Sequence, residues 1–184
     1  MAWNKEHKSQ SRHNILNSAA SLFAQRGFEN TSIDEVMADA GMTRGAFYSH
    51  FKSKSGLYQE AMTFAALRRF RQALEDSSHL NSELNVSCMV ESYLSHSHVV
   101  GDDGCPLAFL VTDVAHQDPT IRQTYTKLFR GLTERMSNVS NQPREQILQN
   151  LVLMIGGVAI ARALEDPALQ MELLDAVKEG IETP

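Results

Sequence analysis

The residues with the clearest chemical potential lie in one short stretch that runs from Thr43 to Lys54. Gly41 precedes the stretch, and glycine readily adopts the positive φ that a tight turn between two helices needs. If Phe47 and Phe51, four residues apart, face a core, polar and small residues must occupy the opposite face. These outward residues are Arg44, Gly45, Tyr48 and Ser49. The pattern predicts a helix-turn-helix whose second helix enters the major groove of DNA.

Each outward residue suits a contact with duplex DNA. Arg44 can donate two hydrogen bonds to guanine O6 and N7, Gly45 admits the backbone close to the base edges, and the Ala46 methyl can touch a thymine methyl. A second group offers hydrogen bonds or charge to phosphates, namely Thr31, Ser32, Tyr48, His50 and Lys54. The alternative is that Thr43 and Ser53 are only helix caps and Arg44 a solvated charge. The convergence of these groups beside one turn favours DNA binding.

The elements that position these residues are predicted to be helices throughout. Alternation of apolar and polar residues is absent from the sequence, whereas apolar residues recur at three- and four-residue spacing. Four prolines suit the first turns of later helices, where proline costs no hydrogen bond: Pro106, Pro119, Pro143 and Pro167. We expect about nine helices, over residues 11–26, 33–40, 43–50, 54–75, 83–100, 106–117, 119–138, 143–164 and 167–180.

Composition and charge narrow the class of protein. The 184 residues are 42% hydrophobic and 21% charged, proportions typical of a globular chain and not of a disordered or fibrous one. The net charge is −5, yet residues 1–71 contain ten Lys and Arg against six Asp and Glu. Because local charge sets the field near a surface, the basic N-terminal part can bind a polyanion although the whole chain is acidic.

The sequence also indicates the compartment. Residues 1–12 are polar and lack a signal-peptide pattern, and the longest apolar run, residues 151–161, is shorter than the roughly 18 residues needed to span a bilayer. The two cysteines, Cys88 and Cys105, lack zinc or thioredoxin spacing. We therefore expect a cytoplasmic protein without a membrane partner.

Residues 12–58 closely resemble the N-terminal DNA-binding domain of the TetR (tetracycline repressor) family. The resemblance extends from Arg12 through the Ala40-Gly41 turn to Tyr58. It implies a DNA-binding domain over residues 1–53 and a helical ligand-binding and dimerisation domain over 54–184. It also implies a homodimer that binds a palindromic operator, acts as a repressor and is released by a small-molecule effector. The operator contacts carried over by the resemblance are Thr31, Ser32, Thr43, Arg44, Gly45, Ala46, Tyr48, His50 and Lys54.

The effector is expected to be apolar or aromatic and to bind among the helices of residues 54–138. This part of the chain concentrates aromatic and sulfur-containing side chains, which commonly line ligand sites. The predicted ligand-binding residues are Phe64, Met89, Tyr93, Cys105, Phe109, Tyr125 and Phe129. Core packing explains the same residues equally well. The segment from Gly104 to Ala115 also resembles one branch of the family.

The last two predicted helices carry apolar stripes suited to a dimer interface. Gly156 and Gly157 interrupt the first of them, which indicates close approach of another backbone. The residues predicted to form a four-helix interface across a twofold axis are Leu151, Ile155, Gly157, Val158, Leu173 and Val177. The alternative is that both stripes close the core of the monomer itself.

Other chemistries are less well supported. A group of polar residues near one helical turn was weighed as a metal site, but His96 and His98 point in nearly opposite directions on a helix. The rest of this group are Asp102, Asp103, His116 and Asp118. Cys105 precedes a helix start, which would favour a thiolate, although free cysteine is usually a small buried hydrophobe. No catalytic triad or phosphate loop is found, so we expect neither enzyme nor cofactor nor metal; the rival hypothesis is a helical ligand-binding protein or enzyme without DNA function.

Overall fold

A computed structural model describes residues 2–79, 85–101 and 104–181 of the chain, without the side chains of residues 2–5 and 76–79. The described residues form eleven helices and no strand, which confirms the all-α prediction. In chain order these are α1 (Ala2–Arg26), α2 (Ile33–Asp39), α3 (Arg44–Phe47), α4 (Lys54–His79), α5 (Val86–Tyr93), α6 (His96–Val100), α7 (Pro106–Phe109), α8 (Val111–Ala115), α9 (Pro119–Asn138), α10 (Arg144–Ala163) and α11 (Pro167–Gly180).

The first three helices are delimited by the local signals in the sequence. Gly27 ends α1 with a φ of +75°, and Gly41 makes the turn after α2 with a φ of +70°. At the start of α2, Ser32 accepts a hydrogen bond from the Glu35 N–H at 3.1 Å while the Glu35 carboxylate accepts one from the Ser32 N–H at 2.8 Å. This reciprocal capping box and the glycine turn are both as predicted.

The structure has more helices than predicted because two of the expected helices are each divided in two. Leu94 and Ser95 interrupt the one expected over residues 83–100, where the Ser95 hydroxyl caps α6 by accepting from the His98 N–H at 3.3 Å. Leu110, with φ −112° and ψ 6°, separates α7 from α8. A second difference is that α1 begins at Ala2, well before the predicted start at residue 11.

The buried residues form two apolar clusters that meet at Tyr125 and Leu128 of α9, which pack against both. The first cluster combines α1, α2, α3 and the first half of α4 with residues of α8 and α9, including Leu110, Val114 and Ile121. The second cluster combines α5, α6, α7, α9, α10 and α11. The first cluster therefore extends past residue 53, since Leu57 and Tyr58 are fully buried in it. The helix-turn-helix packs directly on the rest of the molecule.

The structure revises the assignment of the dimer residues on α10 and α11. Leu151 and Val158 are fully buried inside the protomer. A Cβ at Gly157 would lie 3.2 Å from the Val177 side chain of the same chain, so this glycine admits α11 rather than a partner. Ile155 is also buried, and Leu173 and Val177 pack against the second cluster. Leu151, Ile155, Gly157 and Val158 therefore pack inside the protomer, whereas Leu173 and Val177 are only half-buried and stay predicted dimer residues.

The apolar character of α10 follows from this central position. The helix is long and apolar enough to cross a membrane by length and composition, with a mean hydropathy of 1.4. Eight of its residues are buried in the protein, among them Ile147, Met154 and Ala161. A core helix of a globular protein has the same composition, so its hydropathy gives only weak evidence for a membrane span.

Candidate DNA interface and an adjoining cavity

The short helix α3 presents the face that the sequence predicted. Phe47 and Phe51 point into the first cluster, with 0% and 4% of their surfaces exposed. On the opposite side Arg44 and Gly45 are exposed, and Tyr48 has 64% of its surface exposed. The last turn continues past the helix through the hydrogen bond from the Phe51 N–H to the Phe47 carbonyl at 2.9 Å. Phe47 and Phe51 thus anchor α3 in the first cluster, while Arg44, Gly45 and Tyr48 point outward.

Arg44 forms an ion pair with Asp34 of α2, its Nη1 lying 2.6 Å from Oδ2. Both side chains are more than half exposed, at 62% and 56%. An exposed pair of this kind contributes only about 0 to 1 kcal/mol, so little free energy keeps the guanidinium on Asp34. Arg44 can therefore exchange its single hydrogen bond to Asp34 for two hydrogen bonds to the O6 and N7 of a guanine.

Two of the residues predicted to contact phosphates, Thr31 and Ser32, make hydrogen bonds within the protein. Thr31 is 1% exposed, and its hydroxyl donates to the carbonyls of Gly27 at 2.9 Å and Leu22 at 3.3 Å. A buried hydroxyl engaged in this way cannot reach a phosphate, so Thr31 is a structural residue. The Ser32 hydroxyl is exposed but caps α2 and donates to the Glu35 carboxylate. The Ser32 N–H, and then this hydroxyl, lower the pKa of Glu35 by donating to its carboxylate.

Thr43 and Lys54 flank the outward face at the starts of α3 and α4. Thr43 occupies the N-cap position of α3, yet its exposed hydroxyl makes no capping bond, which leaves it available to a ligand. The Lys54 ammonium lies 4.3 Å from the centroid of the Phe28 ring. This cation–π contact holds the charge beside the turn that follows α1.

His50 lies between α3 and α4 and faces two basic residues of α1. Its Nδ1 is buried and has no hydrogen-bond partner among the described residues. Burial, followed by the positive charges of Lys8 and Arg12, lowers the pKa of His50. Reasoning from the sequence missed Lys8 and Arg12, although their four-residue spacing on one helix was the available signal. Arg12 is also ion-paired with Glu60 of α4, so this carboxylate offsets part of the positive potential around His50.

A cavity of about 190 Å³ lies in the second half of the molecule, between α4, α5, the start of α7, α9 and α10. Its walls are mostly apolar and consist of Ala66, Leu67, Arg69, Phe70, Ala73, Met89, Ser92, Tyr93, Cys105, Leu107, Lys127, Leu128, Gly131, Leu132, Arg135 and Met154. Of the predicted ligand residues, Met89, Tyr93 and Cys105 belong to this lining.

The other four predicted ligand residues lie outside the cavity. Phe64 packs edge-on against His13 at 5.1 Å, and Phe109 lies under the Arg162 guanidinium at 3.9 Å. The Tyr125 hydroxyl donates to the Leu107 carbonyl at 2.7 Å, and Phe129 packs in the second cluster. Aromatic content alone did not distinguish core residues from cavity walls, which include three basic residues that the sequence analysis did not select.

Asp113 of α8 connects the first half of α4 to the turn after α1. Its carboxylate accepts a hydrogen bond from the Tyr58 hydroxyl and two from the Phe28 N–H at 3.2 Å. Burial and the neighbouring Asp113 raise the pKa of Tyr58, so the phenol stays protonated and remains the donor. Asp113 therefore links α8, which follows the cavity-lining residues Cys105 and Leu107, to α4 and to the turn after α1.

The polar residues weighed as a metal site do not form one among the residues that the structure describes. His98 is 2% exposed, and its Nδ1 lies 2.5 Å from the Tyr93 carbonyl, the contact of an N–H donor. Asp102 and Asp103 fall outside the described residues. Cys105 is 5% exposed, and its sulfur lies 3.2 Å from the Tyr93 hydroxyl.

The sequence of this chain is similar to a protein-family model and to two transcriptional regulators. Residues 15–61 match the family model described as bacterial regulatory proteins of the tetR family. The HTH-type transcriptional regulator YfiR of Bacillus subtilis is 24% identical over 142 residues, covering 77% of this chain and 69% of YfiR. The HTH-type transcriptional regulator AcrR of Shigella flexneri is 46% identical over 56 residues, which cover 30% of this chain and 26% of AcrR.

The similarity in fold extends over nearly the whole chain. A TetR transcriptional regulator from Chloroflexus aurantiacus superposes with a TM-score of 0.78 at 20% identity and covers 96% of each chain. The family model matches residues 15–61, whereas the similarity in fold to this solved structure extends over nearly all helices. The exposed face of α3 lies within the segment that the family model matches.

Proposed function

We propose a specific role for this chain, which belongs to the TetR family of DNA-binding transcriptional regulators: it acts as a cytoplasmic repressor. It binds a palindromic operator as a homodimer and leaves the operator when a small apolar or aromatic effector enters the cavity. The observation that carries the proposal is the outward face of α3, where Arg44, Gly45 and Tyr48 stand exposed above buried Phe47 and Phe51. This face lies within residues 15–61, the segment that the family model matches.

The proposed operator contacts fall into two groups, contacts to base edges and contacts to phosphates. Arg44, Gly45 and Ala46 face the base edges, and Arg44 supplies most of the discrimination at one base pair in each half-site. Thr43, Tyr48, His50 and Lys54 serve phosphates, together with Lys8 and Arg12 of α1, and set the register of the domain on the duplex. Ser32 is also proposed to contact a phosphate at the start of α2, where its hydroxyl donates to the Glu35 carboxylate in the free protein.

Dimerisation is proposed to use the outward side of α10 and α11, the two helices favoured by the sequence. Val152 and Ile160 have 65% and 55% of their surfaces exposed, large values for apolar side chains in the middle of a helix. Gly156 lies between them, and a Cβ at this position would meet nothing within 4 Å. Leu169 and Met171 of α11 are also exposed. A twofold contact of this face would bury these side chains.

The effector is proposed to act through two connections between the cavity and the helix-turn-helix. The first is α4, whose residues Leu57 and Tyr58 pack in the first cluster while Leu67 and Phe70 line the cavity. The second is the segment that runs from Cys105 and Leu107 in the cavity wall to α8 and its Asp113. A ligand that spreads these walls would shift both connections, and the recognition helices would lose their spacing of about 34 Å.

The DNA-binding role is tested by selecting fragments of genomic DNA that the purified full-length protein retains, with Arg44→Ala as the comparison. We expect enrichment of a pseudo-palindrome by the unaltered protein and loss of preference at one base pair in each half-site for Arg44→Ala. Retention of all fragments in proportion to their length by both proteins would contradict the proposal.

The effector role is tested by filling the cavity. Gly131 belongs to the cavity wall, and a Cβ at this position would meet nothing within 4 Å, so Gly131→Leu is chosen to fill the cavity and Gly131→Ala, which adds one methyl group, is the matched control. We expect Gly131→Leu to bind operator DNA in the presence of any compound that releases the unaltered protein. Release of both variants at the same compound concentration would place the effector elsewhere.

A further inference from the structure

The cavity is lined by basic residues without an acidic one. Arg69 of α4 and Lys127 and Arg135 of α9 belong to its wall, and no Asp or Glu is among the described lining residues. The composition of the chain works against this outcome, because residues 72–184 contain sixteen Asp and Glu against seven Lys and Arg. Lys127 and Arg135 come from this acidic part of the chain, whereas Arg69 belongs to residues 1–71, where Lys and Arg outnumber Asp and Glu.

The charges of these three residues are not neutralised by the described part of the protein. None of the ion pairs formed among the described residues includes Arg69, Lys127 or Arg135. Arg69 donates a hydrogen bond to the Ser92 carbonyl at 3.3 Å, which uses one of its five N–H groups. The Arg135 guanidinium lies 3.8 Å from the centroid of the Phe70 ring, a contact that orients the group and leaves its charge in place.

The packing of α4 on α9 places Arg69 and Arg135, two residues of the cavity wall, at the same level along the two helices. Gln59 is hydrogen-bonded to Thr124 at 3.0 Å, and Phe70 contacts Arg135, so the two helices run in the same direction. Arg69 directly precedes Phe70 and therefore lies at the level of Arg135. Lys127 lies two turns earlier on α9, about 12 Å along the axis, with Gly131 between them.

The positive charge of Arg69 acts to lower the pKa of two neighbouring groups, His98 and Tyr93. Burial lowers the pKa of His98 to about 4, and the charge of Arg69 is the next largest cause of the shift. Arg69 also opposes the increase that burial produces in the pKa of Tyr93, a residue of the cavity wall. The site therefore combines an apolar body with a cationic end.

The size of the cavity limits the ligand. A dry protein cavity of roughly 150 Å³ accommodates benzene. The volume here, about 190 Å³, suits one aromatic ring or a short hydrocarbon chain with a small polar head. The apolar part of the wall includes Met89, Leu107 and Met154, which are suited to such a body.

We infer that this cavity binds an apolar monocarboxylate, whose ring or chain fills the apolar part while its carboxylate is held by Arg69 and Arg135. Planar guanidinium groups match a carboxylate with paired hydrogen bonds, and partial exclusion of water strengthens the interaction. Lys127 adds positive charge at the other end of α9's inner face. The inference rests on the proposed function, because it names the chemical class of the effector for the same cavity.

The inference is tested by calorimetric titration of the full-length protein with three matched probes, 3-phenylpropanoate, 3-phenylpropanamide and 3-phenylpropylamine, and with hexanoate and hexanamide. We expect each carboxylate to bind at least about tenfold more tightly than its amide, and the amine to bind least. Arg135→Gln should reduce carboxylate affinity by about tenfold and leave amide affinity unchanged. Arg130→Gln, an exposed residue of α9 outside the cavity, is the matched control and should behave as the unaltered protein.

Three outcomes would overturn the inference: equal affinity for carboxylates and amides, an equal effect of Arg135→Gln on both, or binding of none of the five probes. The same preparations are used for the selection of DNA fragments, which separates this failure from failure of the proposed function. An enriched operator without carboxylate binding would reject the effector class alone. Carboxylate binding without DNA enrichment would reject the regulatory role and leave a ligand-binding protein.

Discussion

The Tyr58 hydroxyl donates a hydrogen bond to the carboxylate of Asp113, and this contact joins α4 to α8. Tyr58 lies in the first half of the long helix that follows the helix-turn-helix, and its side chain is fully buried. Asp113 also accepts from the Phe28 N–H in the turn after α1. One carboxylate thus fixes three segments that must move together if the cavity is to influence α3.

We expect Tyr58→Phe to lower the free energy of unfolding by about 1.5 to 3 kcal/mol, because it removes a hydrogen bond to a charged group from a buried site. Urea denaturation followed by circular dichroism measures the change. Tyr48→Phe is the matched control, since it removes the hydroxyl of an exposed tyrosine and should leave stability unaltered. Equal stability of the two variants would show that the Tyr58–Asp113 contact contributes nothing.

The ion pair between Asp34 and Arg44 leads to a prediction about DNA affinity. Asp34→Asn removes the competing carboxylate and a negative charge close to the phosphates, so we expect DNA of any sequence to bind about two- to fivefold more tightly. Fluorescence anisotropy at several salt concentrations provides the measurement. Asp39→Asn, which alters an exposed acid at the other end of α2, should have a smaller effect. A larger gain in DNA affinity for Asp39→Asn than for Asp34→Asn would contradict the expected competition between Asp34 and DNA for Arg44.

The exposed apolar face of α10 leads to a prediction about assembly. Ile160→Lys introduces a charge where the partner helix would pack, so we expect a monomer in light scattering and weaker operator binding, with an unchanged helical content. Val100→Lys alters an equally exposed apolar residue of α6 and is the control, expected to remain dimeric. A monomeric unaltered protein, or a dimeric Ile160→Lys variant, would reject this face as the interface.

His98 leads to a prediction about pH. Burial, followed by Arg69, lowers its pKa from 6.5 to about 4, so the unfolded chain binds a proton between these values while the folded chain does not. The free energy of unfolding therefore decreases as the pH falls through this range, by up to about 1.4 kcal/mol for each pH unit.

His98→Asn preserves a donor near the Tyr93 carbonyl and removes the titration, so we expect a shallower loss of stability between pH 6.5 and 4 than in the unaltered protein. Thermal denaturation at a series of pH values measures the slope. His96→Asn removes an exposed ring from the same short helix and is the control. Identical slopes for the unaltered protein and His98→Asn would contradict the assignment.

The sequence by itself determined the helix-turn-helix. The capping box of Ser32 and Glu35, the turn at Gly41 and the spacing of Phe47 and Phe51 are local signals, and each gave the element and the facing that the structure has. Contacts within a few residues decide these features, so they can be read from neighbouring residue types. The starts of α9 and α11 at Pro119 and Pro167 followed from the same kind of signal.

Only the tertiary structure decided which side of each later helix faces another helix, a cavity or solvent. Leu151 and Val152 are adjacent apolar residues, yet the first is fully buried and the second 65% exposed, because α11 and α5 to α7 cover one side of α10. The lining of the cavity by Arg69 and Arg135 likewise depends on the packing of α4 against α9, two helices whose first residues, Lys54 and Pro119, are 65 positions apart in the chain. Local patterns do not specify such long-range pairing, since several arrangements of amphipathic helices bury similar apolar area.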